Sequence, residues 1–375
     1  MNHAQNAQLR SFEVFWRDHY DWFKDRGYLL RPRYRPGWVA SWTGTNIRFT
    51  DDCEDYHTPL GLDRFLMDAT RIQDGKAVML RRPDPPSMSE ELKIGRLLCS
   101  PSAQSDPRNH CVPIYETLEI SETESLDYPE RNLVVVMPFL VPWDRPDFST
   151  VGEVVDFCSQ IFEGLEFMHS LNIAHNDSKD SNIMMDWSPI YDVRHPVDIE
   201  MKADWSGPLK PHNRTTHPVK YYFIDWDLSK YYDPAMGTVF QNPGYGGDRT
   251  VPEFIRNERC RPFPVDVYCL GNVIRRKFFD GTEWGPPRRN VEFLSDLISD
   301  MTHDDPTKRP TMKQVVSRFE EIRKGLSWWK LRSRVSNKRT LLIFHLLYSP
   351  IHWTIQLFRI IRRIPAIPDY TSGRQ

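Results

Sequence analysis

The chain has 375 residues, a formal net charge of -2, 27% charged and 39% hydrophobic residues. This suits a folded soluble domain with extensions, and near-neutrality leaves no global field to draw the chain to nucleic acid. Six scattered cysteines without a C-x-x-C pair argue against a disulfide framework or zinc site and for a reducing, intracellular, cytoplasmic setting. Met1-Asn2-His3-Ala4-Gln5-Asn6 lacks the apolar core of a signal peptide, so none is expected.

Residues 1–44 form an aromatic and basic extension. Phe12, Phe15, Trp16, Tyr20 and Phe23 recur at three- and four-residue steps, which predicts an amphipathic helix. Arg31-Pro32-Arg33-Tyr34-Arg35 follows, and a helix packed on the domain with solvated arginines is preferred over a nucleic-acid contact. Val78-Met79-Leu80 reads as a strand ending at Arg81, with Lys76 on the turn before it. Ser87 and Glu90 form a capping box that starts a helix, with Leu92, Ile94, Leu97 and Leu98 on its apolar side. Leu133 to Met137 is a short buried strand, followed by Pro138-Phe139-Leu140. From Val154 the residues Cys158, Ile161, Leu165 and Met168 continue an apolar helical stripe.

The stripe leads into His175-Asn176-Asp177-Ser178-Lys179-Asp180-Ser181-Asn182, a polar segment between two apolar runs, laid out as a loop held by buried elements. The next 42 residues, Ile183 to Ile224, contain a polar Pro/His-rich stretch at about 187–219. It reads as an inserted surface loop, and its histidines lack regular metal-ligand spacing. Downstream come Asp225-Trp226-Asp227, then Val251-Pro252-Glu253. Asp266-Val267-Tyr268-Cys269-Leu270-Gly271 and Arg309-Pro310 follow, and a helix is expected over Met312 to Ile322.

In this order the five segments resemble the H-x-D-x-K-x-x-N loop, D-F-G, A-P-E, the D-x-x-x-x-G helix and the C-terminal Arg-Pro of eukaryotic protein kinases. The resemblance implies an α+β, two-lobed protein-kinase-like fold. Its β-rich small lobe would span 45–141 and its larger helical lobe 142–325. It also implies ATP and Mg2+ as cofactors. Asp177 would orient the attacking hydroxyl and accept its proton, Lys179 would steady the transferring phosphoryl group, and Asn182 and Asp225 would hold the metal. Arg81 would be the basic residue facing the phosphates, paired with Glu91 or, less well placed, Glu90. The Pro138 carbonyl and the Leu140 N–H would bond adenine. Glu253 and Arg309 match an ion pair that braces the large lobe, which small-molecule phosphotransferases sharing the loop usually lack. In detail the chain resembles the kinase-like proteins of basidiomycete fungi over roughly residues 10–325. The residues that carry this are Asp106-Pro107-Arg108-Asn109-His110-Cys111-Val112-Pro113-Ile114, Val136-Met137-Pro138-Phe139-Leu140 and Asn182-Ile183-Met184-Met185-Asp186.

Four features depart from the kinase pattern. Gly61 stands alone where a glycine-rich phosphate loop is expected, and Arg81 replaces lysine, which is not a neutral exchange. Asn176 replaces the arginine of H-R-D, so control by activation-loop phosphorylation loses its usual cation. Trp226-Asp227 replaces Phe-Gly. The tryptophan can fill the same apolar slot, while Asp227 could repel nucleotide or help hold a metal. Two functions therefore stand: a serine/threonine protein kinase with an unknown protein substrate, or a pseudokinase acting as a binding or scaffold module.

The tail, 326–375, is basic and then apolar. Thr340 to Phe358 contains no Asp, Glu, Lys or Arg and carries twelve apolar or aromatic residues, with Arg359, Arg362 and Arg363 after it. Three readings remain open for 340–363: helices lying on the protein, contact with a membrane surface, or a membrane span.

Overall fold

Strand and helix patterns in the first third of the chain converge on one antiparallel sheet. In the computed structural model, which describes residues 8–47, 49–57, 65–82, 88–120, 133–191, 200–244, 246–282 and 285–370, the chain divides into two compact units. One comprises Met1–Ser89, Pro113–Val141 and Tyr191–Pro211, the other Glu90–Val112, Pro142–Ile190 and His212–Gln375. Helices and sheets are mixed, as an α+β kinase-like fold requires.

In the first unit, β1 (Tyr28–Leu30), β2 (Leu66–Arg71), β3 (Ala77–Arg81), β4 (Glu116–Glu119) and β5 (Leu133–Pro138) form a five-stranded sheet in the order β1-β2-β3-β5-β4. All its pairings are antiparallel, with Tyr28 opposite Arg71, Val78 opposite Pro138 and Thr117 opposite Val135. Val78 and Leu80 on β3 point into the core because a strand sends alternate side chains to opposite faces. The aromatic stretch folds as two helices, α1 (Ser11–Asp18) and α2 (Tyr20–Asp25), broken at His19, which leaves helical geometry at φ -105°. Trp16, Phe23, Tyr28 and Tyr34 join Val78, Leu80, Val134 and Val136 in one core. Each large apolar side chain so buried is worth about 1.5–3 kcal/mol.

The expectation of solvated arginines fails at two positions. Arg33 is buried and donates from Nε to Glu13 Oε1 at 2.9 Å and from Nη1 to the Asp55 carbonyl at 2.8 Å. Arg31 donates from Nε to Asp68 Oδ2 at 3.0 Å. Guanidinium groups enter the interior here because buried carboxylates meet them with matched geometry. Gly61, within 58–64, and the capping residue Ser87 lie outside the described residues.

In the second unit, α3 (Met88–Leu98) buries Leu92, Ile94 and Leu98 but leaves Leu97 exposed, since Leu97 falls off the i, i+4 stripe. The 20-residue α4 (Val151–Ser170) starts at Thr150, whose side chain accepts from Glu153 N, and its predicted stripe is buried throughout. Short ladders pair β6 (Ile173–Ala174) with β9 (Lys230–Tyr231), and β7 (Ile183–Met185) with β8 (Tyr221–Phe223). Two further helices are α5 (Pro262–Ile274) and α6 (Met312–Gly325), the latter with a Thr311–Gln314 capping box.

The insert is not wholly a surface loop. Residues 192–199 lie outside the described set, but Arg214 and Thr215 are buried. Arg214 Nη2 donates to the Trp143 carbonyl at 2.9 Å, and the Thr215 hydroxyl donates to Glu153 Oε1 at 2.7 Å. The buried Glu153 carboxylate needs donors, and the insert supplies them.

The tail packs on this unit through α7 (Trp328–Arg332) and α8 (Leu342–Ile361). Val151 N donates to the Ser333 carbonyl at 3.0 Å, and Tyr370 returns to the Val219 carbonyl at 2.6 Å. Among the described residues no helix is long and apolar enough to cross a membrane.

Candidate active site

The polar loop after α4 is short because both its ends are tied to ladders: β6 precedes it and β7 follows it. Within the loop every functional side chain is oriented by hydrogen bonds. Asp177 is buried, and its Oδ2 accepts from Lys179 Nζ at 2.5 Å and from Asn182 Nδ2 at 2.9 Å. Asn182 Nδ2 also reaches the Asp177 carbonyl at 3.0 Å. The 3-10 turn over Asp180–Asn182 makes this possible by folding Asn182 back onto the loop. Ile224 N donates to the Asn182 carbonyl at 3.0 Å, so the backbone leading to Asp225 runs beside Asn182. Asp177, Lys179 and Asn182 are thus brought together, and the half-buried Asp225 directly follows the Ile224 that bonds Asn182.

The loop backbone is held from α5. The wholly buried Asp266 accepts from Asn176 N through Oδ1 and from His175 N through Oδ2, both at 2.7 Å. His169 Nε2 lies 3.0 Å from the same Oδ2. Asp266 was legible as a motif residue, but its role as the acceptor of two loop amides emerges only in the fold.

Asn176 lies at φ 62°, a conformation that asparagine tolerates better than most residues. Its Nδ2 donates to the Leu228 carbonyl at 2.9 Å, and its Oδ1 accepts from Gln241 Nε2 at 3.2 Å. Neutral amide bonds tie the loop to the segment after Asp225 at the position where many kinases place an arginine. Trp226 fills the apolar slot expected of it, with its ring centroid 5.4 Å from that of His175.

Sequence reasoning missed Gly246 and Gly247. Gly247 N donates to Asp177 Oδ1 at 2.6 Å. Gly246 sits at φ 87°, and a Cβ there would lie 2.5 Å from the Asn176 carbonyl oxygen. Both the backbone conformation and the close approach require glycine. The adjacent glycines in Gly246-Gly247 were the available signal. Asp180 was also unremarked. It accepts from Trp143 Nε1 at 3.0 Å, and burial, reinforced by the nearby Asp144 carboxylate, holds its carboxyl above the usual range.

Glu253 and Arg309 form the predicted buried pair. Nη1 donates to Oε1 at 2.9 Å and Nη2 to Oε2 at 2.6 Å, and Arg309 Nε donates to the His303 carbonyl at 2.8 Å.

Arg81 ends β3 and is half-buried, and Pro138 ends β5 opposite Val78, two residues before Leu140. All three belong to the first unit, while Glu91 lies buried on α3 in the second. Among the described residues no three His, Cys, Asp or Glu side chains are grouped so as to hold a metal ion. One carboxylate, Asp225, with one amide oxygen, that of Asn182, instead fits Mg2+, which takes few protein ligands and keeps waters and substrate phosphates.

No family model matches the chain. It is 23% identical over 258 residues to a "Light-sensor Protein kinase" of Ceratodon purpureus, covering 62% of this chain and 19% of that protein. It is 24% identical over 215 residues to "Serine/threonine-protein kinase PknD" of Chlamydia abortus, covering 50% of this chain and 21% of that protein. A protein of the same name from Chlamydia felis is 23% identical over 215 residues, with the same coverage. The matches thus span about a fifth of these relatives' length. They support a protein-kinase-like domain.

Proposed function

We propose that this chain transfers the terminal phosphoryl group of ATP, with Mg2+, to serine or threonine side chains of a protein substrate. The reading rests on one observation: Lys179 and Asn182 converge on the Asp177 carboxylate. Asp177 orients the attacking hydroxyl and takes its proton as the new oxygen–phosphorus bond forms and the bond from the terminal phosphorus to the bridging oxygen breaks, releasing ADP. Lys179 offsets charge on the transferring group. Bound metal supplies charge neutralisation at the phosphates, and Asn182 and Asp225 are the residues to hold it. Arg81, Glu91, Pro138 and Leu140 are the nucleotide-binding candidates. A lysine two residues after the aspartate favours serine/threonine over tyrosine as acceptor, in line with the names of the chlamydial relatives. The finer kinship with kinase-like proteins of basidiomycete fungi is part of the same proposal.

A second reading, a pseudokinase scaffold, is favoured by Arg81 at the expected lysine position. Planar arginine presents its charge differently from an ammonium. Thermal melting with Mg-ATP and a phosphotransfer assay on generic protein substrates separate the two. Under the first reading Asp177→Asn lowers turnover about 10²–10⁴-fold with nucleotide stabilisation retained, and Asp225→Ala abolishes that stabilisation. A chain that melts identically with and without Mg-ATP and transfers nothing is the scaffold.

A further inference from the structure

The C-terminal helix α8 is inside-out. His352, Gln356 and Arg359 recur at i, i+4, i+7 and form its inward stripe. His352 Nε2 lies 2.8 Å from the Arg332 carbonyl, Gln356 Oε1 accepts from Arg332 Nη1 at 3.3 Å, and Arg359 Nη1 donates to Thr215 Oγ1 at 3.3 Å. Gln356 is 2% exposed and Arg359 8%, whereas Leu347 is 63% exposed and Ile361 71%. Ile343, Leu347, Leu357, Phe358 and Ile361 fall on the outer side by the helical period, and all are exposed. A helix on a water-facing surface normally has the opposite arrangement. Here hydrogen bonds anchor the polar stripe to the second unit and keep the apolar stripe outward.

The charge around this face is one-sided. No Asp or Glu occurs between Glu321 and Asp369. Lys338 and Arg339 precede the helix, Arg362 and Arg363 follow it, and all four are exposed. The indoles of Trp328 and Trp329 are also exposed, and Trp329 packs 5.5 Å from Trp353 between ring centroids. Two copies meeting through this face would bring cations against cations with no acidic residue of the segment to offset them.

We infer that α8 docks the protein flat on a membrane surface rich in anionic lipid. The outer stripe would enter the headgroup–acyl boundary, and Lys338, Arg339, Arg362 and Arg363 would meet lipid headgroups. Tryptophan at the edge suits the same boundary. The inference goes beyond phosphoryl transfer and does not depend on it.

The test is flotation of the full chain with phosphatidylcholine vesicles, with and without phosphatidylserine. The protein is expected to float with the phosphatidylserine vesicles and to be released by high salt. Neutralising each of the four cations to glutamine should lower the partition coefficient about fivefold. Leu347→Glu with Leu357→Glu should lower it at least about tenfold, with the melting temperature unchanged because both side chains are exposed on the outer side. Equal flotation on both vesicle types would overturn the anionic-surface assignment. No flotation, or a concentration-dependent dimer that the Leu347→Glu/Leu357→Glu variant abolishes, would overturn the inference altogether.

Discussion

Asp266 and Asp156 are both buried carboxylates on helices of the second unit, yet different groups surround them. Asp266 on α5 receives two backbone amides and lies against the His169 ring, and so holds the His175–Asn182 loop. Asp156 on α4 meets the Gln160 side-chain amide at 3.0 Å and the Tyr370 hydroxyl at 2.9 Å. Burial pushes the Asp156 carboxyl up to about 7, although both hydrogen bonds pull the other way. A hydroxyl has one proton, and Tyr370 also approaches the Val219 carbonyl at 2.6 Å. A protonated Asp156 can donate to Tyr370 while Tyr370 donates to Val219, which satisfies all three groups. The motif region is braced by fixed amides and the buried Glu253–Arg309 pair. The tail-side region is latched by groups whose bonding changes with a proton.

If this contrast holds, the largest loss follows from Arg309→Ala. It strands Glu253 as a buried unpaired charge and should cost about 3–5 kcal/mol in urea unfolding. A double-mutant cycle with Glu253→Gln that shows no coupling would mean the bracing lies elsewhere. Asp266→Ala should also be costly, at least about 2 kcal/mol, because it leaves the amides of His175 and Asn176 without their acceptor at about 1 kcal/mol or more each. Hydrogen exchange at those two amides should accelerate, and unchanged protection would show that other acceptors replace the carboxylate.

On the tail side the effect should depend on pH. The Asp156 pKa is raised in the folded state from an ordinary 3.8, so folding takes up a proton between about pH 4 and pH 7. The stability this group contributes is complete below pH 4 and falls as pH rises through 7. Asp156→Asn, always neutral, should match wild type near pH 4 and exceed it at pH 8 in melting temperature. Identical pH profiles for the two would remove Asp156 from the latch. The smallest change is expected for Tyr370→Phe, about 0.5–1.5 kcal/mol for one lost hydrogen bond, and it should leave exchange in the His175–Asn182 loop unaltered.

Much of the site could be read directly from the chain. Asp177, Lys179 and Asn182 lie within one loop, so their convergence follows from local spacing. Glu253 and Arg309 could be paired because motif order placed them, despite a separation of 56 positions. Helix α4 was likewise visible as an apolar stripe and β5 as a short apolar run, while β3 and α6 were placed by motif order. Gly246 and Gly247 were not, because their need for small size comes from a loop some seventy residues earlier in the chain (Gly247 N to Asp177, 70 positions).

The same distinction separates the arginines and the tail. Composition marks Arg33 as a cation and 340–358 as apolar, and both statements are correct. Whether the cation is solvated or the apolar run buried depends on what lies opposite. Glu13 draws Arg33 inward, and Thr215 and Arg332 draw in the polar side of α8 and turn its apolar side outward. By itself the sequence determined residue types at fixed local spacings: the polar loop from His175 to Asn182, the helical stripes and the charge asymmetry of the tail. Tertiary structure alone decided which long-range partner satisfied each buried polar group, because a hydrogen bond or ion pair forms only where the fold sets donor and acceptor within about 3 Å of each other.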